Sequence, residues 1–250
     1  LLELSQKNIE ENLSNQEIEK LLYSHYTNET SRKLYLNNTV TNLNYNTAIN
    51  LFGYQAFVQG SDQYFDDKLK LSLGINFAGL NYNDNMRNPF NQFSPRLSAS
   101  YQLSEKLDLN ANVGRYALQP AYTTLGFKNT AGAFVNQNEN LRYTISNQAI
   151  VGFDYRPMDK VRMTVEGFYK GYHNYPFSVQ DGLSIASKGT EYGQVGDEEI
   201  VSTGKGRAYG VEFLAKIMEM NKMNLTATYT YFRSEFSNLA GNYVPSSWDT

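Results

Sequence analysis

Between Gln148 and Lys170 apolar and polar residues alternate on both sides of a short break. Ala149, Val151, Phe153 and Tyr155 interleave with Gln148, Gly152, Asp154 and Arg156; beyond Asp159, Val161, Met163, Val165, Gly167 and Tyr169 interleave with Arg162, Thr164, Glu166 and Lys170. A period of two puts each set on its own face, so the stretch predicts a two-strand hairpin. The turn falls at Arg156–Asp159, where Pro157 fixes a dihedral and no ladder donor is needed. Both arms exceed the about five or six residues of an average globular strand. Long alternating arms joined by a short turn predict a membrane barrel.

The same break recurs. Phe65-Asp66-Asp67-Lys68 precedes Leu69-Lys70-Leu71, Leu103-Ser104-Glu105-Lys106 precedes Leu107-Asp108-Leu109, and Met220-Asn221-Lys222 precedes Met223-Asn224-Leu225. The spacing between these lysines varies, so the repeat is not a solenoid's. What varies is the connection between hairpins: 83–92, 118–144 and 174–205 read as long loops at the opposite end from the short turns. Transmembrane barrels show that asymmetry. The remaining arms keep the two faces apart. Leu69, Leu71, Leu73, Ile75 and Phe77 oppose Lys70, Ser72, Gly74 and Asn76, and Leu225, Ala227, Tyr229 and Tyr231 oppose Thr226, Thr228 and Thr230. Eight strands are predicted, with a ninth before residue 50. The hairpins run over about 52–78, 93–117, 145–173 and 206–236 within a barrel segment 28–250.

Residues 1–27 read differently. Ile9, Leu13, Ile18, Leu21 and Leu22 fall near helical spacing, and Ser14-Asn15-Gln16-Glu17 fits a capping box ahead of Ile18. A short helix embedded in a loop is expected there. Residues 28–47, rich in Asn and Thr, read as a loop passing into an irregular strand.

Composition narrows the class. Twenty Tyr and fourteen Phe accompany a negative mean hydropathy, and no run approaches the roughly 18 apolar residues of a membrane helix. A barrel reconciles the two, because only alternate residues meet lipid and aromatics gather at the interfaces. The absence of cysteine removes disulfides and thiolate metal sites, and a net charge of −3 gives no reason to expect nucleic acid.

Chemistry is sparse. His25 and His173 lie in unrelated segments and outside any nucleophile motif, so no catalytic residues, metal ligands or cofactor are assigned. Gly204-Lys205-Gly206 is followed by strand-like Val211-Glu212-Phe213 rather than by a helix, which argues against a phosphate loop. The acidic runs Asp66-Asp67 and Asp197-Glu198-Glu199 lack the spaced oxygens of a calcium loop and read as solvated. Arg96, Asp108, Asp154, Arg156, Arg162 and Glu166 form a charged inner wall, read as a structural network. Candidate ligand contacts are the loop aromatics Tyr122, Phe127, Phe134, Tyr175 and Phe177, which stack on sugar rings or flat ligands. Packing of loop against loop is their commoner role.

Several motifs in order resemble the barrel of the TonB-dependent outer-membrane receptors, in its middle to later part: Asp67-Lys68-Leu69-Lys70-Leu71-Ser72-Leu73-Gly74, then Phe93-Ser94-Pro95-Arg96-Leu97 leading to Tyr101, Gly114-Arg115-Tyr116 with Pro120, and Gly206-Arg207-Ala208-Tyr209-Gly210-Val211-Glu212. The resemblance covers about 50–250 and implies an all-β fold, an antiparallel transmembrane β-barrel of about 22 strands of which this chain is a part. It also implies import of a scarce nutrient such as a siderophore, vitamin, glycan or peptide, and a location in the cell outer membrane. The implied partners are outer-membrane lipid, the TonB energy-transducing complex through a plug domain that is absent here, and a surface lipoprotein. Neither a TonB-contacting box nor a terminal aromatic is seen in these residues, so the barrel is expected to continue beyond them. The alternative is a non-transporting outer-membrane barrel serving as a structural or surface-complex component; an outer-membrane enzyme is disfavoured by the missing histidine constellation.

Overall fold

The computed structural model describes residues 15–36, 39–129, 131–188, 198–220 and 223–249. Long strands follow in sequence: β1 (Asn15–Leu36), β2 (Thr39–Tyr64), β3 (Leu69–Leu80), β4 (Ser94–Ser104), β5 (Leu107–Leu118), β6 (Thr144–Met158) and β7 (Val161–Ser178). After the two-residue β8 (Leu183–Ser184) come β9 (Ile200–Met220), β10 (Met223–Ser237) and the short β11 (Tyr243–Pro245). They form one antiparallel sheet in chain order, with β8 added beside β7. Among the described residues β1 and β11 do not pair, so the sheet is an open section of a barrel. Three one-turn helices, α1 (Asp84–Arg87), α2 (Tyr122–Leu125) and α3 (Val135–Asn138), lie in the long connections.

Alternation along each strand becomes two chemically distinct faces once the register is set. One row of partners across eight strands reads Tyr64, Leu69, Tyr101, Leu109, Phe153, Val165, Phe213 and Tyr229. The neighbouring row on the other face reads Gln102, Asp108, Asp154, Thr164, Leu214 and Thr228. The apolar face has no protein cover: Leu225 is 58% exposed and Tyr229 65%. So large an apolar patch is unfavourable in water but matches hydrocarbon. On β7 it runs from Val161 to Tyr169, close to the roughly 9–11 residues with which a tilted strand crosses the hydrocarbon. Above it the outward row turns polar, through Arg115, Asn147, Gly171, Arg207 and Glu235, and Arg207 pairs with Glu235 at 2.8 Å.

The recurring turn lysines have a structural role that their side chains do not reveal. The Lys68 carbonyl accepts from the Gln102 N–H, Lys106 from Arg156, and Lys160 from Met218, each at 2.8 Å. Each acceptor ends one hairpin and each donor belongs to the next, so every described turn continues the ladder across the hairpin boundary. This leaves no unpaired backbone step where one hairpin meets its neighbour. Asn221 and Lys222 lie outside the described residues.

Four expectations change. The N-terminal helix is not formed over Ile18–Leu22: that stretch belongs to β1, in register with β2 from Asn15↔Gly60 to Leu36↔Thr39; the preceding residues 1–14 lie outside the described ones. The capping box and helical spacing are a weak local preference, and the long free edge of β2 offers one backbone bond per residue against it. Residues 28–47 likewise complete the β1–β2 hairpin rather than a loop. Pro157 is not in the turn but in a bulge of β6, where pairing skips from Tyr155↔Met163 to Met158↔Val161 and its missing N–H is not needed. Finally, the third loop is shorter than 174–205, because β7 runs on to Ser178 and β9 starts at Ile200, paired with it.

The register generates a paired test. Ala227 shares its face with Ala215 and Met163, near the middle of the outward run Leu225–Tyr231, whereas Thr228 is in line with Thr164 and Asp154. Ala227→Arg is expected to cost about 2–4 kcal/mol in folding into lipid, and Thr228→Arg well under that. Equal losses in denaturant titrations of the membrane-embedded protein would refute the assignment of the faces.

Candidate functional site

At the loop end the connections knit together. Ile49, Leu51, Leu80, Tyr82, Met86, Leu125, Leu141, Tyr143, Ile145 and Ile200 form one buried cluster drawn from β2, the end of β3, the start of β6, the β3–β4 and β5–β6 connections and β9. Asn136, fully buried in α3, fastens it: its amide donates to the Thr124 carbonyl (2.7 Å) and the Glu198 carbonyl (2.9 Å), and its oxygen accepts from the Ile200 N–H (2.8 Å). Thr47 donates to the Gly126 carbonyl at 2.6 Å, Asn83 to Leu141 and Gln137 to Tyr82. The three connections therefore make a single cap, which short loops of polar residues would not form alone.

Glu198, read above as solvated, belongs to this cap. Its carboxylate accepts from Ser178 and from Lys188, and Lys188 also reaches Asp181 at 2.5 Å. Burial alone would pull the Lys188 ammonium down, but the hydrogen bonds and charges of Asp181 and Glu198 outweigh it and hold it above the usual lysine range. Glu198 thus sits against the end of β7, where Ser178 is buried. Asp66 and Asp67 remain exposed, as read.

Below the cap, on the polar face, lies a cleft of about 520 Å³. Arg96 of β4, Tyr116 of β5, Ser146 of β6, Tyr172 and Tyr175 of β7, Phe236 of β10 and Trp248 line it. Tyr175 and Phe236 pack with ring centroids 4.5 Å apart, and Tyr172 stacks on Phe236 at 5.5 Å. These rings need room on the strand between them, and β9 supplies it: a Cβ at Gly206 would collide with the Phe236 ring. The Gly204-x-Gly206-x-Ala208-x-Gly210 series thus makes space for aromatics rather than cradling phosphate. Arg96 lies with its guanidinium 4.4 Å from the Tyr116 ring centre and 5.9 Å from that of Phe57. Its Nε is buried without a hydrogen-bond partner. A cation held between rings beside a stacked aromatic wall suits a flat or anionic ligand.

The aromatics proposed from sequence fall in three places: the cap, the end of β7 and this cleft. Tyr122 stacks on Tyr26 at 5.5 Å, Phe134 lies under the Lys128 ammonium at 4.5 Å, and Phe177 is buried on β7. Phe127 sits half-buried in the cap, its carbonyl accepting from the Val135 N–H. Tyr175 alone among them lines the cleft. Tyr116, Tyr172 and Phe236 also line it, and each carries a readable signal, a large aromatic at polar parity. Asn136 and Trp248 carry no such signal, since only the folded connections bring them in.

The charged inner wall divides into three separate features. Nearer the turns, Asp154 is 3% exposed and binds Arg156 at 3.0 Å and Arg162 at 2.6 Å, while Arg156 also reaches Asp108 at 3.2 Å. Three strands are tied by this network. Arg96 stands apart from it in the aromatic cleft, and Glu166 packs over Gly152.

An open antiparallel sheet with a lipid-type outer face, a polar inner face, short turns and a loop cap defines a section of an outer-membrane barrel. Residues 10–247 match the model of the TonB dependent receptor-like, beta-barrel family, and the chain belongs to that family. No curated protein matches it. Among solved structures it is similar to the alcaligin outer-membrane receptor FauA of Bordetella pertussis (14% identity, TM-score 0.53, 94% of this chain and 42% of that one). It is also similar to the ferric-catecholate import receptor Fiu of K12 E. coli (12%, 0.60, 90% and 36%) and to the siderophore receptor PirA of Pseudomonas aeruginosa (15%, 0.55, 87% and 42%). At these identities the likeness is one of fold, and the chain spans about two fifths of each neighbour's length.

Two outcomes test the cap. Asn136→Ala orphans the Glu198 carbonyl and the Ile200 N–H and leaves the Thr124 carbonyl to backbone donors such as the Phe127 N–H at 3.5 Å, at a cost of about 1–3 kcal/mol for each group left dry. Hydrogen exchange at Ile200 and protease nicking within 119–143 should rise while the strands stay protected. The second concerns pH. Burial pushes the Tyr143 hydroxyl up to about 12, with Tyr54 and Tyr122 adding to it, and holds the Tyr82 hydroxyl, which donates to the Leu125 carbonyl, above the ordinary tyrosine range. Folded values raised above about 10 mean that the stabilisation is complete below pH 10 and is lost as pH climbs toward 12. Loop exchange rates should therefore be flat from pH 7 to 9 after intrinsic correction and accelerate above 10; acceleration already at pH 8 would exclude the tyrosines as its cause.

Proposed function

We propose that this chain is a section of the barrel wall of an outer-membrane receptor that imports a scarce nutrient, and that the ligand rests in the cleft below the loop cap. The cleft carries this reading: Arg96, with its unpartnered Nε, and the Tyr172–Tyr175–Phe236 stack face one volume on the lumen side. A buried donor without a partner costs free energy that an anionic ligand would recover. Entry from the loop side and passage along the polar face need no covalent chemistry, and binding energy does the selecting. The energy for release would come from the TonB complex, through a plug domain elsewhere in the protein. Siderophores, vitamins, glycans and peptides are the candidate cargo; the rings and the cation favour a flat, negatively charged one.

Growth on single limiting nutrients tests this. Cells lacking the protein should fail on one of them and be rescued by the wild-type gene. Arg96→Gln should raise the concentration needed for half-maximal uptake by at least about tenfold, equivalent to about 1.4 kcal/mol. Unchanged growth on every nutrient after deletion would sink the proposal.

A further inference from the structure

A second cleft opens on the other side of the sheet, and ligand uptake from the lumen makes no use of it. It holds about 260 Å³ at the loop end and is lined by Asn85, Phe90, Asn91, Arg115, Arg142 and Asn174, among others, with no carboxylate. Its placement follows from parity. Arg115 lies on the face of Leu109, Ala111 and Val113, two residues above the last of them, in the outward polar row that caps the lipid band. The β7 bulge between Tyr172 and Tyr175, with Asn174 at φ 54, brings Asn174 to the same cleft.

Both arginines lack counter-charges. Neither guanidinium has a carboxylate within 4 Å among the described residues, and the Arg115 Nε is buried with no hydrogen-bond partner. The carboxylate of Asp84, next in sequence to Asn85, is engaged by Arg87 at 3.2 Å. Two cations gathered in a small cleft repel each other and cost desolvation unless an anion joins them. The guanidinium fork matches a phosphate's oxygens. Beside them Phe90 is 74% exposed and meets Phe77 edge-on at 5.9 Å, with Phe93 behind it at 5.2 Å from Phe77. An apolar edge next to a cationic pocket, at the level where hydrocarbon gives way to headgroups, is the profile of a lipid's own interface.

We propose that Arg115 and Arg142 bind the phosphate of an anionic lipid in the loop-side leaflet, with the Asn85 and Asn91 amides flanking it and Phe90 against the adjoining chain. The site rests on the outer-membrane reading above but not on any imported cargo. It would fix the cap's outer margin to the membrane, since Arg142 belongs to the β5–β6 connection and its N–H is already tied to Ser202 at 2.9 Å.

The test uses the intact outer-membrane protein that contains this chain, in detergent, titrated by native mass spectrometry with dihexanoyl phosphatidic acid, dihexanoyl phosphatidylcholine and inorganic phosphate. Wild type should bind the phosphatidic acid at least about tenfold more tightly than the zwitterionic lipid, and the R115Q/R142Q variant should lose that preference. R87Q, outside the cleft, should behave as wild type. Equal binding by the double variant, or no preference in wild type, overturns the proposal. Displacement of the lipid by an equal concentration of inorganic phosphate also overturns it, assigning the pocket to a soluble anion. If the double variant loses its heat-resistant gel mobility, R142Q alone decides, with a loss of affinity expected and unchanged binding contrary. Cell fractionation separates the two readings: a protein found in the outer membrane that ignores the lipid fails this inference only, whereas one found elsewhere fails both.

Discussion

Hydrocarbon offers no hydrogen-bond partner, so every backbone N–H and C=O within the membrane must be paired by the protein. The rest of this structure follows from that constraint. It demands unbroken ladders between neighbours, and therefore antiparallel strands in chain order with turns that do not interrupt the pairing. The carbonyls of Lys68, Lys106 and Lys160 meet the demand at the hairpin boundaries, where a gap is easiest to leave. It also explains where irregularity is tolerated. Pro157 sits in a bulge beside a turn, and the Asn174 bulge lies at the loop end, both away from the middle of the lipid band.

With pairing fixed, side chains need only satisfy the solvent on each face, which is why so much of the fold was legible. Val161 to Tyr169 and Leu225 to Tyr231 state their face residue by residue, and the observed register keeps every one of them where alternation put it. Legibility fails where the environment is not two-sided. Ile18, Leu21 and Leu22 carry a helical spacing, yet the edge of β2 recruits them into β1, and no local signal records that edge. The cap fails for another reason: Asn136 has the same composition cues as any loop asparagine, and its three bonds exist only because residues 124, 198 and 200 converge on it. The cleft is intermediate. Tyr116, Tyr172 and Phe236 break the polar pattern of their face, which sequence shows, but the meeting of Tyr172 and Phe236 over Gly206 depends on registers that sequence does not.

The two faces also solve the problem of charge differently. Inside, Asp154 is buried and is held by two arginines, a geometry in which losing one partner would strand the rest. Outside, Arg207 and Glu235 neutralise each other just above the lipid band, and Arg207 lies 4.5 Å from the Tyr243 ring. Arg96 and Arg115 do neither. Each has a buried Nε without a partner, one on each face, at similar distances from the loop rim. Buried oxygens of Asp154 and Asp249 are also unbonded, but those carboxylates pair with Arg162 and Arg233; Arg96 and Arg115 have no carboxylate partner among the described residues, and there the protein leaves room for something other than itself.

The inner surface sets the size of the whole. Near the turns the polar face holds a groove of about 930 Å³ lined by Ser72, Ser98, Ser100, Asn110, Asn112 and Gly152. A barrel of about eight strands has an interior that side chains must fill, and serines and glycines cannot fill it. The same residues suit a wide lumen occupied by water or by another segment. An open sheet, for its part, would leave the outer edges of β1 and β10 unpaired in lipid, at several kcal/mol per orphaned group. Both arguments require more strands than these. Nine long strands are about two fifths of a barrel of about 22, and two fifths is also the share of the solved receptors' length that this chain covers. The small inward side chains, the open edges and the proportion of chain therefore describe one object, a wall segment of a barrel with more than twice as many strands.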